Sequence, residues 1–305
     1  MTRSAFSAPP PVPSRHSLRS AQRCATRLSQ DDFERCARFI SERIGIRLPP
    51  AKKVMLEARL RKRMAALGLE NHEEYCRYLF SDAGQARELP HLYDAVTTNT
   101  TNFFREPRHF EILTGQVLPA LAARLAPLEP LTVWSAGCST GEEPYTLAMV
   151  LAEYAARVPA FRYEILATDI SNRVLAEAAR GVYAEAQVQP VSPALRHKYL
   201  RRGGGPERGQ LCMGPELRAR VRFRRLNFMQ DFDLGRRFHL IFCRNVAIYF
   251  DRPTQMRLFA KFCDHLLPGG CLFIGHSESL GATHGLPLRT LAPTVYERLD
   301  DGGRS

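Results

Sequence analysis

Leu131-Thr132-Val133-Trp134-Ser135-Ala136-Gly137-Cys138-Ser139-Thr140-Gly141-Glu142-Glu143-Pro144 decides how the chain is read. Residues 131–134 form a short β-branched and aromatic run of strand character. Gly137 and Gly141 then punctuate a turn, and residues 142–156 carry a helical pattern behind it. Glycines at a strand-to-helix turn let a ligand approach the backbone, and the helix N-terminus offers free N–H groups. The G-x-G-x-x-G pattern is matched only in part, with Ser139 between the two glycines.

The same rhythm repeats downstream. Residues 163–167, 221–226, 238–243, 271–275 and 294–296 read as strands, and 172–180 and 253–267 as helices. Such alternation predicts an α/β doubly wound sheet over 130–305. Residues 187–222 interrupt it and read as a small antiparallel β-subdomain built around Gly203-Gly204-Gly205-Pro206. An exposed edge there could accept an added peptide strand. Upstream, residues 30–96 read as an all-α domain. Leu56, Leu60, Met64 and Leu67 fall on one helical stripe, and Gly68 closes it. Residues 97–129 read as a linker and ligand-covering segment. Residues 1–29, rich in Pro, Ser and Arg, read as a flexible basic tail.

Composition bounds the function. The 305 residues carry 43 Lys and Arg against 31 Asp and Glu, a formal charge of +12. Five arginines (3, 15, 19, 23 and 27) and no acid lie in the first 30 residues. The balance is compatible with nucleic acid, acidic membrane or an acidic protein surface, and equally with a solvated basic face. No window approaches the ~18 apolar residues of a membrane-spanning helix, and no apolar core of a secretory signal is present. The eight cysteines form no C-x-x-C pair, so reduced thiols in the cytoplasm are expected, with no metal site.

Chemistry concentrates where strands end. Asp169 closes 165–169, where an acid can accept two hydrogen bonds from a ribose diol; nicotinamide, flavin and S-adenosylmethionine (SAM) sites all use this geometry. An N-cap role for Asp169 or Ser171 is the plainer reading. Asn227 offers an amide to an adenine edge, with Phe228 as packing, or else serves as a turn residue. Arg244 and Asn245 follow 238–243, with Tyr249 within one helical turn. Residues 97–107, TTNTTNFFREP, join six small polar residues to two aromatics and an arginine, as a loop crossing a ligand would. Ser139 also completes G-x-S-x-G, the nucleophile elbow of α/β-hydrolases, with Asp169 or Asp251 and then His276 in the required order.

Together, TTNTTNFFRE (97–106), WSAGCSTGEEPY (134–145), ILATDIS (165–171), RLNF (225–228), FCRNVAIYFD (242–251) and LPGGCLFIGHSES (267–279) resemble the CheR family, SAM-dependent methyltransferases that esterify glutamates of chemotaxis receptors. The resemblance covers about residues 30–298 and leaves out the tail. It implies a helical N-terminal domain, a SAM-dependent methyltransferase (Rossmann-like) domain and the β-subdomain. It implies Asn99, Thr101, Arg105, Glu143, Asp169, Asn227, Phe228, Arg244 and Asn245 as SAM contacts, with Arg105 and Tyr249 facing the substrate glutamate. It further implies that Gly203, Gly204 and Gly205 belong to a subdomain that docks a C-terminal receptor pentapeptide in some members. One departure is that Ser135-Ala136 stands where the generic fold has an acid; Glu143 is the candidate replacement.

A glutamate carboxylate, with an ordinary pKa of ~4.3, is already ionised at neutral pH and needs no general base or metal. Positioning and limited water access are what the protein must supply. Lys52, Arg59 and Arg63 fall on one side of their helix, a candidate stripe for docking an acidic receptor helix. Nucleic-acid methylation is disfavoured: no N/D-P-P-Y/F follows 238–243, and no Pro-Cys dipeptide exists. A catalytically silent SAM-binding scaffold fits the same residues, and a serine hydrolase fits the G-x-S-x-G reading. A monomer is expected.

Overall fold

The computed structural model describes residues 27–280 and 285–300. The tail expected over 1–29 lies, apart from its last three residues, outside them. The chain forms two compact units: one takes residues up to 38 together with 48–96, the other 39–47 together with 97 onward. The division falls inside the first helix, α1 (Gln30–Ile44). Helical periodicity carries no signal for that break.

The first unit is helical. Its helices are α2 (Lys53–Leu67), α3 (His72–Leu79) and α4 (Asp82–Val96). Leu56, Leu60 and Met64 of the expected stripe are fully buried, as are Cys36, Tyr75, Leu79 and Leu92. Asn71 caps α3 by accepting from the Glu74 amide at 2.9 Å. Buried Glu88 receives Arg63 through two hydrogen bonds, 2.8 and 2.9 Å, and the Tyr75 hydroxyl at 3.0 Å. The bidentate fork lets a charged group survive inside a small helical core.

The second unit continues with α5 (Arg108–Ile112), a π-helical turn (Leu113–Val117) and α6 (Leu118–Ala122), where a linker was expected. Then come β1 (Leu131–Ala136), α7 (Glu142–Ala155), β2 (Tyr163–Asp169), α8 (Asn172–Arg180) and β3 (Val182–Ala184). The subdomain adds α9 (Pro193–Tyr199), β4 (Leu200–Arg202), β5 (Gln210–Met213) and α10 (Pro215–Arg218). The chain returns through β6 (Val221–Arg225), β7 (Phe238–Cys243), α11 (Arg252–His265), β8 (Leu266–Ile274), β9 (Leu288–Ala292) and β10 (Val295–Arg298).

Seven strands form the main sheet in the order β6-β2-β1-β7-β8-β10-β9. Pairing is parallel from β6 to β8, and β10 is antiparallel to both β8 and β9. Strand alternation sorts the core. Val133, Leu240, Phe242 and Phe273 face one apolar cluster, while Trp134, Ile241, Cys243, Leu272 and Ile274 face the other. The sheet is therefore covered on both faces at its centre, where β7 is buried along its whole length. β8 starts at Leu266, earlier than the sequence suggested. Pro268-Gly269-Gly270 lies inside the strand, where a register shift against β7 absorbs it.

The small sheet has the order β3-β5-β4, all antiparallel. The glycine run follows β4 and leads through a 3-10 turn (Gly205–Glu207) to β5, as a hairpin reading expects. β3 lies outside the expected 187–222 span, because three residues are too short to show a period.

Candidate functional site

A sheet of this order changes winding direction between β1 and β7, so the loops leaving their carboxyl ends diverge and open a crevice. A cleft with about 900 Å³ of free space, open to solvent, lies there. Gly137 and Ser139 follow β1, Ile170 follows β2, Leu226, Asn227 and Phe228 follow β6, and Arg244, Asn245 and Tyr249 follow β7. Residues 97–101 and Arg105 complete the lining. All nine candidate cofactor contacts (Asn99, Thr101, Arg105, Glu143, Asp169, Asn227, Phe228, Arg244 and Asn245) and the candidate catalytic Tyr249 line this one cleft.

Asp169 organises its floor. One carboxylate oxygen accepts from the Ser139 amide at 2.9 Å and the other from the Ser171 amide at 3.0 Å. The turn it holds is tightly shaped: Gly137 has φ +86°, and a Cβ there would stand 2.4 Å from Val246 Cγ2. Ser171 caps α8 through the Val174 amide, so the cap and the acid are separate residues.

Glu143 and Arg244 form a buried ion pair, Nε to Oε2 at 2.7 Å. Ser135 Oγ donates to the other Glu143 oxygen at 2.7 Å. Arg244 Nη1 donates to the Arg105 carbonyl at 2.6 Å and stands 3.3 Å from His109 Nδ1. This pair ties the end of β7, the start of α7 and the 97–106 segment together. Burial, and after it the Arg244 charge, pushes His109 down to about 4, so the ring is neutral at physiological pH.

Glu106, His109 and His276 bring ligand-type atoms within 4.8 Å of one another, an arrangement the sequence did not suggest. Arg244 Nη1 already stands 3.7 Å from Glu106 Oε2 and beside His109 Nδ1, so a guanidinium supplies the positive charge there.

Other side chains in the cleft are partly committed. Asn227 Nδ2 donates to the Arg43 carbonyl at 2.8 Å, and its Oδ1 accepts from the Met229 amide at 3.0 Å. Its first duty is therefore to fix the chain around residue 43, a role closer to the turn reading than to the adenine one. Arg105 Nη1 donates to the Thr100 carbonyl at 3.0 Å. Asn245 Nδ2 donates to Glu106 at 3.3 Å, while its buried Oδ1 has no partner among the described residues. The sequence reading missed the apolar lining: Ile44, Ile46, Ile170, Leu226, Val246 and Phe250. Ile170 and Leu226 adjoin candidate polar residues, which is a usable signal. Ile44 and Ile46 carry none.

The hydrolase reading is corrected. Ser139 Oγ donates to the Asn99 carbonyl at 2.9 Å, and Asp169 is engaged with amides. The ring of His276 packs against His109, centroids 5.0 Å apart. Among the described residues, no base or acid relay is assembled on the serine.

The docking residues lie elsewhere. In the helical unit, Lys52 is exposed, Arg59 donates to the Val96 carbonyl and Arg63 is held by Glu88. The two arginines expected as docking charges thus have structural partners, because the helix side that carries them also packs against α4. In the β-subdomain, Gly203 lines a separate surface cavity with Arg196, Arg202 and Arg208. Gly204 and Gly205 are not among its lining residues.

Residues 99–294 match the model of the CheR methyltransferase SAM-binding domain, and 31–97 that of the CheR methyltransferase all-alpha domain. A chemotaxis protein methyltransferase of Borreliella burgdorferi is 38% identical over 276 residues, covering 89% of this chain and 95% of its own. One from Klebsiella aerogenes is 40% identical over 253 residues, 83% of this chain and 84% of its own. One from Salmonella typhimurium is 39% identical over 263 residues, 86% and 88%. With both domain models matched in order and relatives aligned along most of its length, the chain belongs to the CheR methyltransferase family.

Proposed function

We propose that the protein transfers the methyl group of SAM to glutamate side chains of chemotaxis receptors, leaving S-adenosylhomocysteine. The observation that carries this reading is the convergence of residues from the ends of β1, β2, β6 and β7 and from 97–105 on one cleft. Its donor set suits the cofactor. Asp169 places a carboxylate, the group that suits a diol, on the cleft; Ile170, Leu226 and Phe228 supply an apolar lining for a purine; and Asn245 Oδ1, without a partner among the described residues, can accept from an ammonium. The bound cofactor supplies an electrophilic sulfonium methyl, toward which an ionised carboxylate needs no base. The chain's own task is to orient that carboxylate and exclude water. Arg105 would orient it and Tyr249 trim its approach.

Calorimetric titration with SAM and with S-adenosylhomocysteine, followed by tritiated-methyl transfer to receptor-containing membranes, tests the reading. One-site binding with transfer supports it. Binding without transfer favours the silent scaffold, and no binding removes the central claim. Tyr249→Phe is expected to lower turnover several-fold at near-normal SAM affinity; unchanged turnover would remove any role for its hydroxyl.

We also propose that the helical unit docks the acidic receptor helix, with exposed Lys52 and Lys62 as its free charges. Arg59 and Arg63 would serve by holding the surface in shape. Lys52→Glu with Lys62→Glu should raise KM for receptor about threefold or more, with SAM affinity unchanged, because surface charges steer encounter. A constant KM would argue for a solvated face. Docking of a receptor C-terminal peptide on the β-subdomain would use the edge near Gly203, Gly204 and Gly205.

A further inference from the structure

Residues 244–250 place Arg244, Asn245, Val246, Tyr249 and Phe250 on the cleft, yet their only regular structure is one 3-10 turn (Ala247–Tyr249). A loop of this kind leaves its amide groups without a strand partner and its shape undetermined. Asn245 moreover has φ +59°, a left-handed conformation that a non-glycine residue holds only when its surroundings impose it.

The geometry points to Glu278 as the residue that imposes it, a positioning residue for the methyl-transfer site. Its carboxylate accepts from the Asn245 amide at 3.0 Å, the Val246 amide at 3.0 Å and the Ile248 amide at 3.3 Å. It also accepts from the Gly275 amide at 2.6 Å, which ties the loop to the end of β8. Gly275 has to lack a side chain, since a Cβ there would stand 2.6 Å from Asn245 Nδ2 and 2.8 Å from its amide. The anchor is itself anchored: Arg252 donates to the Ser279 and Leu280 carbonyls at 2.8 and 2.7 Å. Glu278 is 6% exposed and does not line the cleft. It acts on the site only through the backbone it gathers. Burial raises its carboxyl, and the backbone amides gathered on it, Gly275 first, oppose that rise. An anion is the species best matched to a nest of donors. The inference rests on the cleft being the SAM site.

The test is Glu278→Gln in the full chain, read by SAM titration, methyl-transfer turnover and amide hydrogen exchange. Glutamine keeps the size but turns an NH2 toward backbone donors. SAM affinity and turnover should each fall about 10- to 100-fold, the scale of a modest misplacement at a reaction centre. The amides of Asn245, Val246 and Ile248 should be protected in the unaltered protein. In the variant they should be released while the β7 amides stay slow, a pattern that general destabilisation does not give. A folded variant with affinity and turnover within about twofold of the original would overturn the proposal, since about 1.4 kcal/mol separates each tenfold. Equal loosening of β7 and the loop would overturn it too. If the variant does not fold, exchange in the unaltered protein decides. Protection at the three amides supports the clamp, and free-loop rates end it. Failure of the unaltered protein to bind SAM would instead show in the first titration and sink the reading of the cleft.

Discussion

Asp169→Ala is expected to weaken SAM binding at least about 100-fold, the largest single loss at the cleft, because two hydrogen bonds to a charged acceptor are worth ~1.5–3 kcal/mol each. The substitution has a second consequence. The Ser139 and Ser171 amides, now 2.9 and 3.0 Å from the carboxylate, would lose their acceptor. A buried donor left unmade costs about 1–3 kcal/mol, so the ligand-free protein should also melt earlier. Asp169→Asn separates the two effects. Its remaining oxygen can satisfy one amide and keep one contact to a diol, so its losses should be intermediate in both. Titration calorimetry and thermal melting measure the pair of quantities. A folded Asp169→Ala protein that binds SAM within about threefold of the original would remove Asp169 from the binding machinery, threefold being less than the ~1.5 kcal/mol of one charged hydrogen bond.

Arg244→Ala is expected to destabilise the second unit by about 3–5 kcal/mol, the usual cost of stranding one member of a buried ion pair. Among the described residues Glu143 would keep Ser135 alone as a side-chain donor, and the Arg105 carbonyl would lose the guanidinium that holds the 97–106 segment to β7. Denaturant unfolding should show this as a lower midpoint. Arg244→Met combined with Glu143→Gln should recover much of the stability, since neither charge then remains stranded, and should not recover SAM binding, since the covering segment stays untied. Recovery of both would show that the pair is only a packing element. A loss below about 1 kcal/mol in the single variant would show that water reaches the pair, because exposed pairs contribute no more than that.

Legibility from sequence followed separation along the chain. The strand from 238 to 243 is legible to the residue, and so is the end of α2 at Gly68, because apolar period and cap residues are local quantities. Candidate site residues were legible for a related reason. Polar residues at the ends of apolar strands mark the carboxyl edge, wherever those strands sit in the sheet. The strand β9 and the π-turned helix near 113–117 were not legible. In Leu288–Ala292 apolar and polar residues do not alternate, and the segment after 107 carries Pro and Gly that mimic a linker.

The sequence by itself determined the fold class, the α-then-α/β domain order and the segments that meet at the cleft. The tertiary structure alone decided which atoms those residues spend on one another. Arg244 is turned onto Glu143, 101 positions away, and Asn227 onto the Arg43 carbonyl, 184 positions away. Arg59 and Arg63, read as a free basic face, are held by Val96 and Glu88. Glu278, inside the stretch 267–279 but given no role from the sequence, gathers the loop after β7. Each of these contacts depends on strand order or helix packing, which are set by long-range burial. Local periodicity records which face of an element is apolar, and it holds no record of what that face will meet.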